Sequence, residues 1–208
     1  TAAVLLSAFV AQAAQADLTA QDVWSDWREY LSSSGYNVSG TESMSGDTLT
    51  ISDITMVLPV PEEDMNVTVV ISSLALVQNG DGTVNVNFPS PMPIRFSVGE
   101  SGEEEVDGEL VVTHSGSVMS IAGDPSNMTY THSSDETAMS LGSLTVDGEA
   151  VPADTFRFNL AMAATSGVTK MMLGELRSFE QTFSADSLSY VVAFDDPESD
   201  DQGAFTGA

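Results

Sequence analysis

The sequence contains no cysteine and very few basic residues. The lack of cysteine excludes disulfides, thiolate catalysis, Fe–S clusters and cysteine-type zinc sites. Five of the 208 residues are lysine or arginine, against 31 aspartates and glutamates, so the formal net charge is −26. Nucleic acids and anionic lipid headgroups are bound mainly through lysine and arginine. The composition therefore predicts no nucleic-acid partner.

Long hydrophobic runs are missing as well. The longest covers residues 2–11, is interrupted by Ser7, and is shorter than the roughly twenty residues of a membrane-spanning helix. It leads to Ala14-Gln15-Ala16, the small-x-small pattern that a signal peptidase accepts. We predict that residues 1–16 are a signal-peptide remnant and that the mature chain is exported to a bacterial periplasm, with no integral membrane span. The alternative is an apolar strand or helix of the fold.

Hydrophobic residues make up 42% of the chain, which is enough for a packed core in a protein of this length. We expect a single β-rich domain over residues 17–194, either complete or part of a longer protein, followed by an acidic tail over residues 195–208. The acidic excess opposes compaction unless salt screens it. It is consistent with a saline habitat and equally with a simple role in solubility.

One helix is predicted at the start of this domain. Thr19 is suited to be its N-cap, Asp22 lies near the positive end of the helix dipole, and Gly35 provides a stop. Trp24 and Trp27 lie on its apolar stripe. This stripe predicts a helix packed on a sheet by its aromatic face, and the alternative is an aromatic platform for a ligand.

From Thr48 onward the apolar residues alternate with a period of two, which indicates β-strands. A turn over residues 61–64 would pair Ile54 with Ile71 and Met56 with Val69.

The alternation changes phase at residues 52–53 and, on the opposite strand, at residues 72–73. Either paired bulges bend the sheet there, or the hairpin passes between two apolar environments. We expect a strongly coiled sheet.

Further elements follow from turn residues and spacing. The prolines at positions 89, 91 and 93 indicate a sheet edge or a crossover. A two-residue turn at Ser115-Gly116 and a loop at residues 123–127 predict a three-stranded meander. Its rows are Leu110–Ile121–Met128, Val112–Met119–Tyr130 and His114–Ser117–His132.

A short helix is predicted from Val168 to Phe179, and a last strand carries Leu188, Tyr190, Val192 and Phe194. The predicted fold class is therefore mainly β: a long curved antiparallel sheet with an N-terminal helix packed on it and a second short helix late in the chain.

The two histidines, His114 and His132, share one row of this predicted meander and are candidate metal ligands. Two histidines without a third defined ligand are a weak metal pattern, and polar residues at a sheet rim are the alternative. The sequence has no G-x-S-x-G elbow of a serine hydrolase. We therefore predict a protein that is not an enzyme and that needs no cofactor.

The segments DVWSDWREYLSSSGY and SGDTLTISDITMVLP, together with the signal segment, resemble the start of an uncharacterised alphaproteobacterial periplasmic family, domain of unknown function 2125. The resemblance covers the N-terminal half and implies a periplasmic protein, with no catalytic residues to transfer. An exported helix followed by alternating strands is also distantly similar to AsmA-type envelope proteins, whose curled sheets form an apolar groove for lipids. That likeness is an analogy of fold alone.

Two functional hypotheses follow. The first is a non-enzymatic envelope protein that binds a lipid or other apolar ligand on its curved sheet. Its candidate ligand-binding residues are Trp24, Trp27, Ile54, Met56, Val69 and Ile71. The second is a β-scaffold that contacts other envelope proteins through sheet edges or through the tryptophan-bearing helix. Weak metal binding through the histidines is a further alternative.

Overall fold

The computed structural model describes residues 17–60, 65–100, 105–195 and 202–207. The predicted signal segment and the predicted turn at 61–64 lie outside these residues. The helix is α1 (Ala20–Ser33). The strands are β1 (Asn37–Ser45), β2 (Thr48–Val60), β3 (Met65–Gln78), β4 (Val84–Asn87), β5 (Met92–Glu100), β6 (Glu105–Ser115), β7 (Val118–Asp124), β8 (Asn127–Val146), β9 (Glu149–Ala150), β10 (Phe156–Leu173), β11 (Arg177–Ser184), β12 (Ser187–Asp195) and β13 (Gln202–Gly207). Within these ranges, no helix has the length and apolarity needed to cross a membrane.

The predicted N-terminal helix is confirmed together with its cap. The backbone N–H of Asp22 donates to Thr19 Oγ1 over 3.1 Å, and the backbone N–H of Thr19 donates to the Asp22 carboxylate over 3.0 Å. This reciprocal capping box satisfies two backbone donors that the first turn leaves free. The helix ends at Ser33, and Gly35 then takes a φ of +93°, a conformation that glycine adopts without steric cost.

The sheet confirms the mainly antiparallel β fold. Within the described residues, its 13 strands form one antiparallel sheet, whose main path runs in the order β1-β2-β3-β4-β7-β8-β10-β12-β13. β4 and β5 lie end to end along β3, β6 and β7 along β8, and β11 and β12 along β10. The predicted register of the first hairpin is confirmed, with Ile54 opposite Ile71 and Met56 opposite Val69.

The predicted second helix is wrong, because residues 168–179 belong to β10, a tight turn and β11. The apolar residues in this stretch recur at helical spacing by coincidence. The buried face of β10 here carries Thr165, Gly167 and Met171, so small and polar side chains hide the two-residue alternation. Thr169 lies between them and is partly buried.

The predicted meander is also wrong in its first turn. Gly116, with a φ of +59°, bends the chain between β6 and β7 without reversing it, so the two strands follow one another along β8. Leu110 lies opposite Leu141, and Ile121 lies opposite Tyr130. Only the second turn, between β7 and β8, forms a hairpin, and its register differs from the predicted one by two residues.

Two smaller expectations need correction. The prolines near position 90 separate β4 from β5 inside the sheet, since both strands have neighbours on either side. The predicted acidic tail is not wholly a tail, because Gln202–Gly207 forms β13 and pairs with β12.

An interruption recurs at the same level in several strands of the sheet, and we call it the crease. It passes through the bulge at Gly40, the positive φ angles of Asp53 (52°), Gly116 (59°) and Ala164 (46°), and the breaks between β4 and β5 and between β11 and β12. These points lie side by side in the register, for example Thr41 opposite Ser52 and Ser134 opposite Thr165. The crease divides the sheet into a half that carries α1, the proximal half, and a distal half.

The core lies between α1 and the proximal half. Its buried side chains are Leu18, Ala20, Val23, Trp24, Leu49, Ile51, Ile54, Leu74, Leu76, Val84, Val86, Ile121, Met128, Tyr130 and Met171. Of these, Ile54 is the one that lies beyond the crease. A Cβ on Gly40 would contact side-chain atoms of both Ile51 and Ile54, so these two residues face the same side of the sheet although they are three positions apart. The change of phase at Asp53 thus keeps the apolar side continuous across the crease.

The proximal half curls around the helix, as the prediction of a strongly coiled sheet requires. Glu42 in β1 accepts a hydrogen bond from Trp24 Nε1, and Arg177 in β11 donates to Asp26. β1 and β11 are seven strand spacings apart in the sheet order. Seven spacings of about 4.8 Å span about 34 Å on a flat sheet, whereas a helix is about 10 Å across. Both strands reach the same turn of α1 only because the sheet closes around it.

Candidate functional site

The distal half presents a continuous apolar side, which we call the distal apolar face. Side chains directly opposite each other in an antiparallel register point to the same side of a sheet. Cross-strand rows on this side are Ile54–Ile71–Ile94–Leu110–Leu141, Met56–Val69–Phe96–Gly108–Leu144, Leu58–Val67–Val98–Val106–Val146 and Met92–Val112–Met139–Leu160–Tyr190. Because Ile54 and Ile71 also pack against the core under α1, this is the same side of the sheet that encloses the helix.

This face is far less buried than the core. Ile54 is 3% exposed, whereas every other large side chain in the four rows is partly exposed, up to 39% for Tyr190. Within the described residues, α1 packs on the proximal half, so no helix covers the distal half. A contiguous apolar surface that remains partly exposed on a folded domain indicates an interaction site.

Aromatic rings on the face lie across glycines of the neighbouring strand. Phe96 covers Gly108, and Tyr190 covers Gly207. A Cβ at either glycine would overlap the ring, so the two small residues let the aromatic side chains lie flat on the sheet. The rings thereby become part of a smooth apolar surface.

The sequence-predicted ligand residues divide into three groups. Met56, Val69 and Ile71 lie on the distal apolar face, with Ile54 buried at its boundary with the core. Trp24 is 3% exposed and donates its indole N–H to Glu42 Oε1 over 2.7 Å, so it is a core residue with no free surface for a ligand. Trp27 is half-buried and lines a separate pocket.

That separate pocket, of about 370 Å³, lies between α1 and the wall of the proximal half, and we call it the aromatic pocket. Its lining residues are Asp26, Trp27, Tyr30, Met119, Tyr130, His132, Thr169, Arg177, Phe179 and Gln181. They come from the helix and from β7, β8, β10 and β11, and spacing along the chain gives no sign that they meet.

Two interactions hold the helix against this pocket. Asp26 and Arg177 form an ion pair with nitrogen–oxygen distances of 2.7 and 2.9 Å, and the hydrogen bond to Asp26 raises the pKa of Arg177 above its usual value. Trp27 Nε1 donates to the Tyr130 hydroxyl over 3.2 Å. Burial raises the pKa of Tyr130 above its usual value, because the charged phenolate is disfavoured away from water.

The two histidines do not share a row. His114 lies opposite Thr137 in β8, whereas His132 lies opposite Met119 and Gly167. His114 lines a cavity of about 510 Å³ at the crease and has a buried Nε2 without a hydrogen-bond partner in the described residues. His132 stacks on Phe183 with ring centroids 6.0 Å apart. Among the described residues, no group of three or more histidine, cysteine or acidic side chains could hold a metal ion.

The 510 Å³ cavity involves the other side of the distal half. The row Thr113–Ala138–Ala161–Ser189 alternates with the distal apolar face along the same strands and contributes much of its lining. The side chains of this row are small or carry hydroxyl groups, whereas the rows of the distal apolar face consist mainly of large aliphatic, methionine and aromatic side chains. The side with the larger apolar side chains is the better candidate for an apolar ligand.

No family model, curated protein or solved structure matches this chain, so the resemblance to domain of unknown function 2125 and the analogy with AsmA-type proteins both stay predictions.

Proposed function

We propose that this protein is a non-enzymatic, exported periplasmic protein that binds the acyl chains of a lipid, or another apolar ligand, on the distal apolar face. The observation that carries the proposal is the set of four apolar cross-strand rows, in which every large side chain beyond Ile54 remains partly exposed. Covering about 100 Å² of such surface would contribute about 2.5 kcal/mol of binding free energy before the costs of association.

The chemistry of the face favours an uncharged ligand portion. Its rows consist of aliphatic, methionine and aromatic side chains, and methionine adapts its shape to irregular apolar partners. The whole chain carries a formal charge of −26, which repels anionic headgroups. A neutral lipid is therefore the preferred ligand class.

The test is native mass spectrometry of the protein mixed with dioleoylglycerol, a neutral lipid. Leu110 lies in a central row of the face, and its chain neighbour Val111 points to the other side of the sheet. We expect a lipid adduct on the natural protein and on Val111→Gln, and a loss of about tenfold or more in adduct for Leu110→Gln. Thermal melts of both variants serve as controls for folding. Absence of an adduct, or equal loss in both variants, would contradict the proposal.

A second candidate function is the envelope scaffold. Large aromatic side chains near the end of the described sheet are exposed, including Phe183 (55%), Phe194 (43%) and Phe205 (64%). Exposed aromatics beside a strand edge suit contact with another protein. Native mass spectrometry of the protein purified from its own envelope distinguishes the two: a lipid-range mass removed by solvent extraction supports ligand binding, and a defined protein complex without lipid supports the scaffold.

A further inference from the structure

We propose that the aromatic pocket is a binding site for a small, neutral, planar aromatic molecule of one or two fused rings that carries a hydroxyl or carbonyl group. The pocket lies beside α1 in the proximal half, whereas the distal apolar face lies beyond the crease. The proposal for the aromatic pocket can therefore be tested independently of lipid binding on the distal apolar face.

The walls of the pocket are aromatic. Trp27 stacks on Tyr130 with ring centroids 6.5 Å apart, and Tyr30 meets Phe179 edge to face with centroids 5.5 Å apart. Tyr30 is 43% exposed and Phe179 is 50% exposed, so both rings have free surface. Aromatic side chains with exposed faces and edges bind best to another flat ring, through offset stacking or edge contacts.

The charges in the pocket already neutralise each other. Asp26 and Arg177 are 9% and 13% exposed, and the two guanidinium–carboxylate contacts occupy the fork of the arginine. Arg177 also lies over the ring of Tyr30, 5.1 Å from its centroid. A charged ligand would have to break this pair and leave one buried charge uncompensated, whereas a neutral ligand would not.

The lining of the pocket also includes hydrogen-bonding side chains. Thr169 and Gln181 lie opposite each other in β10 and β11, and His132 is on the next strand. Within the described residues, the side chains of these three make no hydrogen bond to another group. They add hydroxyl, amide and imidazole groups to a lining that is otherwise largely aromatic, which suits a ring that bears a single polar substituent. The volume of about 370 Å³ is within the range of small-molecule sites.

The test uses 2-naphthol, a neutral two-ring probe with one hydroxyl, titrated into the full ¹⁵N-labelled chain. Trp27 has its indole N–H in the pocket, whereas Trp24 donates its own to Glu42 in the core. The two indole resonances, assigned by Trp27→Phe, therefore give a reporter and an internal control in one spectrum. We expect a saturable shift of the Trp27 indole resonance and no shift of the Trp24 resonance.

A matched pair of variants tests the role of a hydrogen-bonding side chain in the pocket. Thr169 lies in the pocket, and Thr182 lies on the other side of β11, next to Gln181. We expect Thr169→Val to weaken 2-naphthol binding about threefold to tenfold, the effect of one hydrogen bond, and Thr182→Val to leave it unchanged. Naphthalene, which lacks the hydroxyl, should bind both variants equally.

The proposal is overturned if 2-naphthol gives no saturable shift of the Trp27 resonance up to its solubility limit. It is also overturned if Trp24 shifts in parallel with Trp27, or if the two valine variants weaken binding equally. Retention of both indole resonances in each variant shows that the fold is intact, so a loss of binding cannot be attributed to unfolding.

Discussion

The carboxylate of Asp26 in α1 accepts a hydrogen bond from Nη1 of Arg177 in β11, 151 residues further along the chain, and its other oxygen lies 2.7 Å from Nη2. The planar guanidinium matches the two carboxylate oxygens, a geometry that lysine cannot reproduce. This contact fixes the last part of the proximal half to the first helix of the domain. It thereby closes the curl of the sheet around α1.

Replacement of Arg177 by methionine should destabilise the protein by about 3 kcal/mol, because it leaves the Asp26 carboxylate buried without its partner. The matched control is Arg95→Met. Arg95 is 70% exposed in its pair with Glu109, and exposed pairs contribute less than about 1 kcal/mol. Urea denaturation measures both free energies of unfolding. Equal losses in the two variants would show that the buried pair has no special role.

Ala164 should be a site where glycine stabilises the protein. Its φ of +46° lies in the left-handed region, which costs a residue with a Cβ about 1–2 kcal/mol, and glycine avoids this cost at the expense of some unfolded-state entropy. We expect Ala164→Gly to raise the free energy of unfolding by about 0.5 kcal/mol. The control Ala161→Gly, in the regular part of β10, should lower it by a similar amount. A loss of stability at both positions would contradict the strained conformation.

Tyr130 should make stability fall at high pH. Its pKa is raised by burial, so the unfolded chain releases the proton first as pH increases. The stabilising contribution is therefore complete below a pH of about 10 and is lost as pH rises from there towards the folded-state pKa. Tyr130→Phe should lack this loss, so the stability gap between natural protein and variant should narrow in urea titrations above about pH 10. Tyr190→Phe, which retains Tyr130, should follow the natural protein. Parallel pH curves for the natural protein and Tyr130→Phe would refute the prediction.

Salt should stabilise the protein as a whole. A formal charge of −26 gives strong self-repulsion in the compact state. An increase in NaCl from about 0.01 M to about 1 M shortens the Debye length from about 30 Å to about 3 Å and removes most of this repulsion. We expect the melting temperature to rise across this range, and a glucose series of equal osmolality separates charge screening from osmotic effects. A constant or falling melting temperature would contradict the prediction that charge repulsion limits stability.

Local signals explain what could be predicted from the sequence. Thr19, Asp22 and Gly35 specify the helix through its own caps, and these interactions span few residues. The first hairpin was predictable because the phase change at Ser52 coincides with that at Ser73 in just one register. The helix depends on interactions between residues close in sequence, and the hairpin depends on a pattern that two adjacent strands share.

The errors arose where one residue type serves two purposes. Gly116 suits a two-residue turn, but here its positive φ bends the chain at the crease. Thr165 and Gly167 occupy buried positions that apolar residues usually fill, so β10 does not show the alternation expected of a strand. The aromatic pocket was missed because it joins Trp27 to Phe179 and Gln181, and the curl of the sheet brings them together.

The crease should divide the sheet into two regions that differ in local unfolding. Hydrogen bonds of the same sheet continue on both sides of it, but nearly all of the fully buried apolar side chains lie on the side of α1. Local stability follows buried apolar contacts more closely than it follows backbone pairing. Amide hydrogen exchange should accordingly be slow in the proximal parts of β3 and β8 and faster in the distal parts of the same strands. A single strand would then belong to two cooperative unfolding units. The unit around the helix would be rigid, and the distal unit would be flexible enough to adapt its surface to a bound ligand.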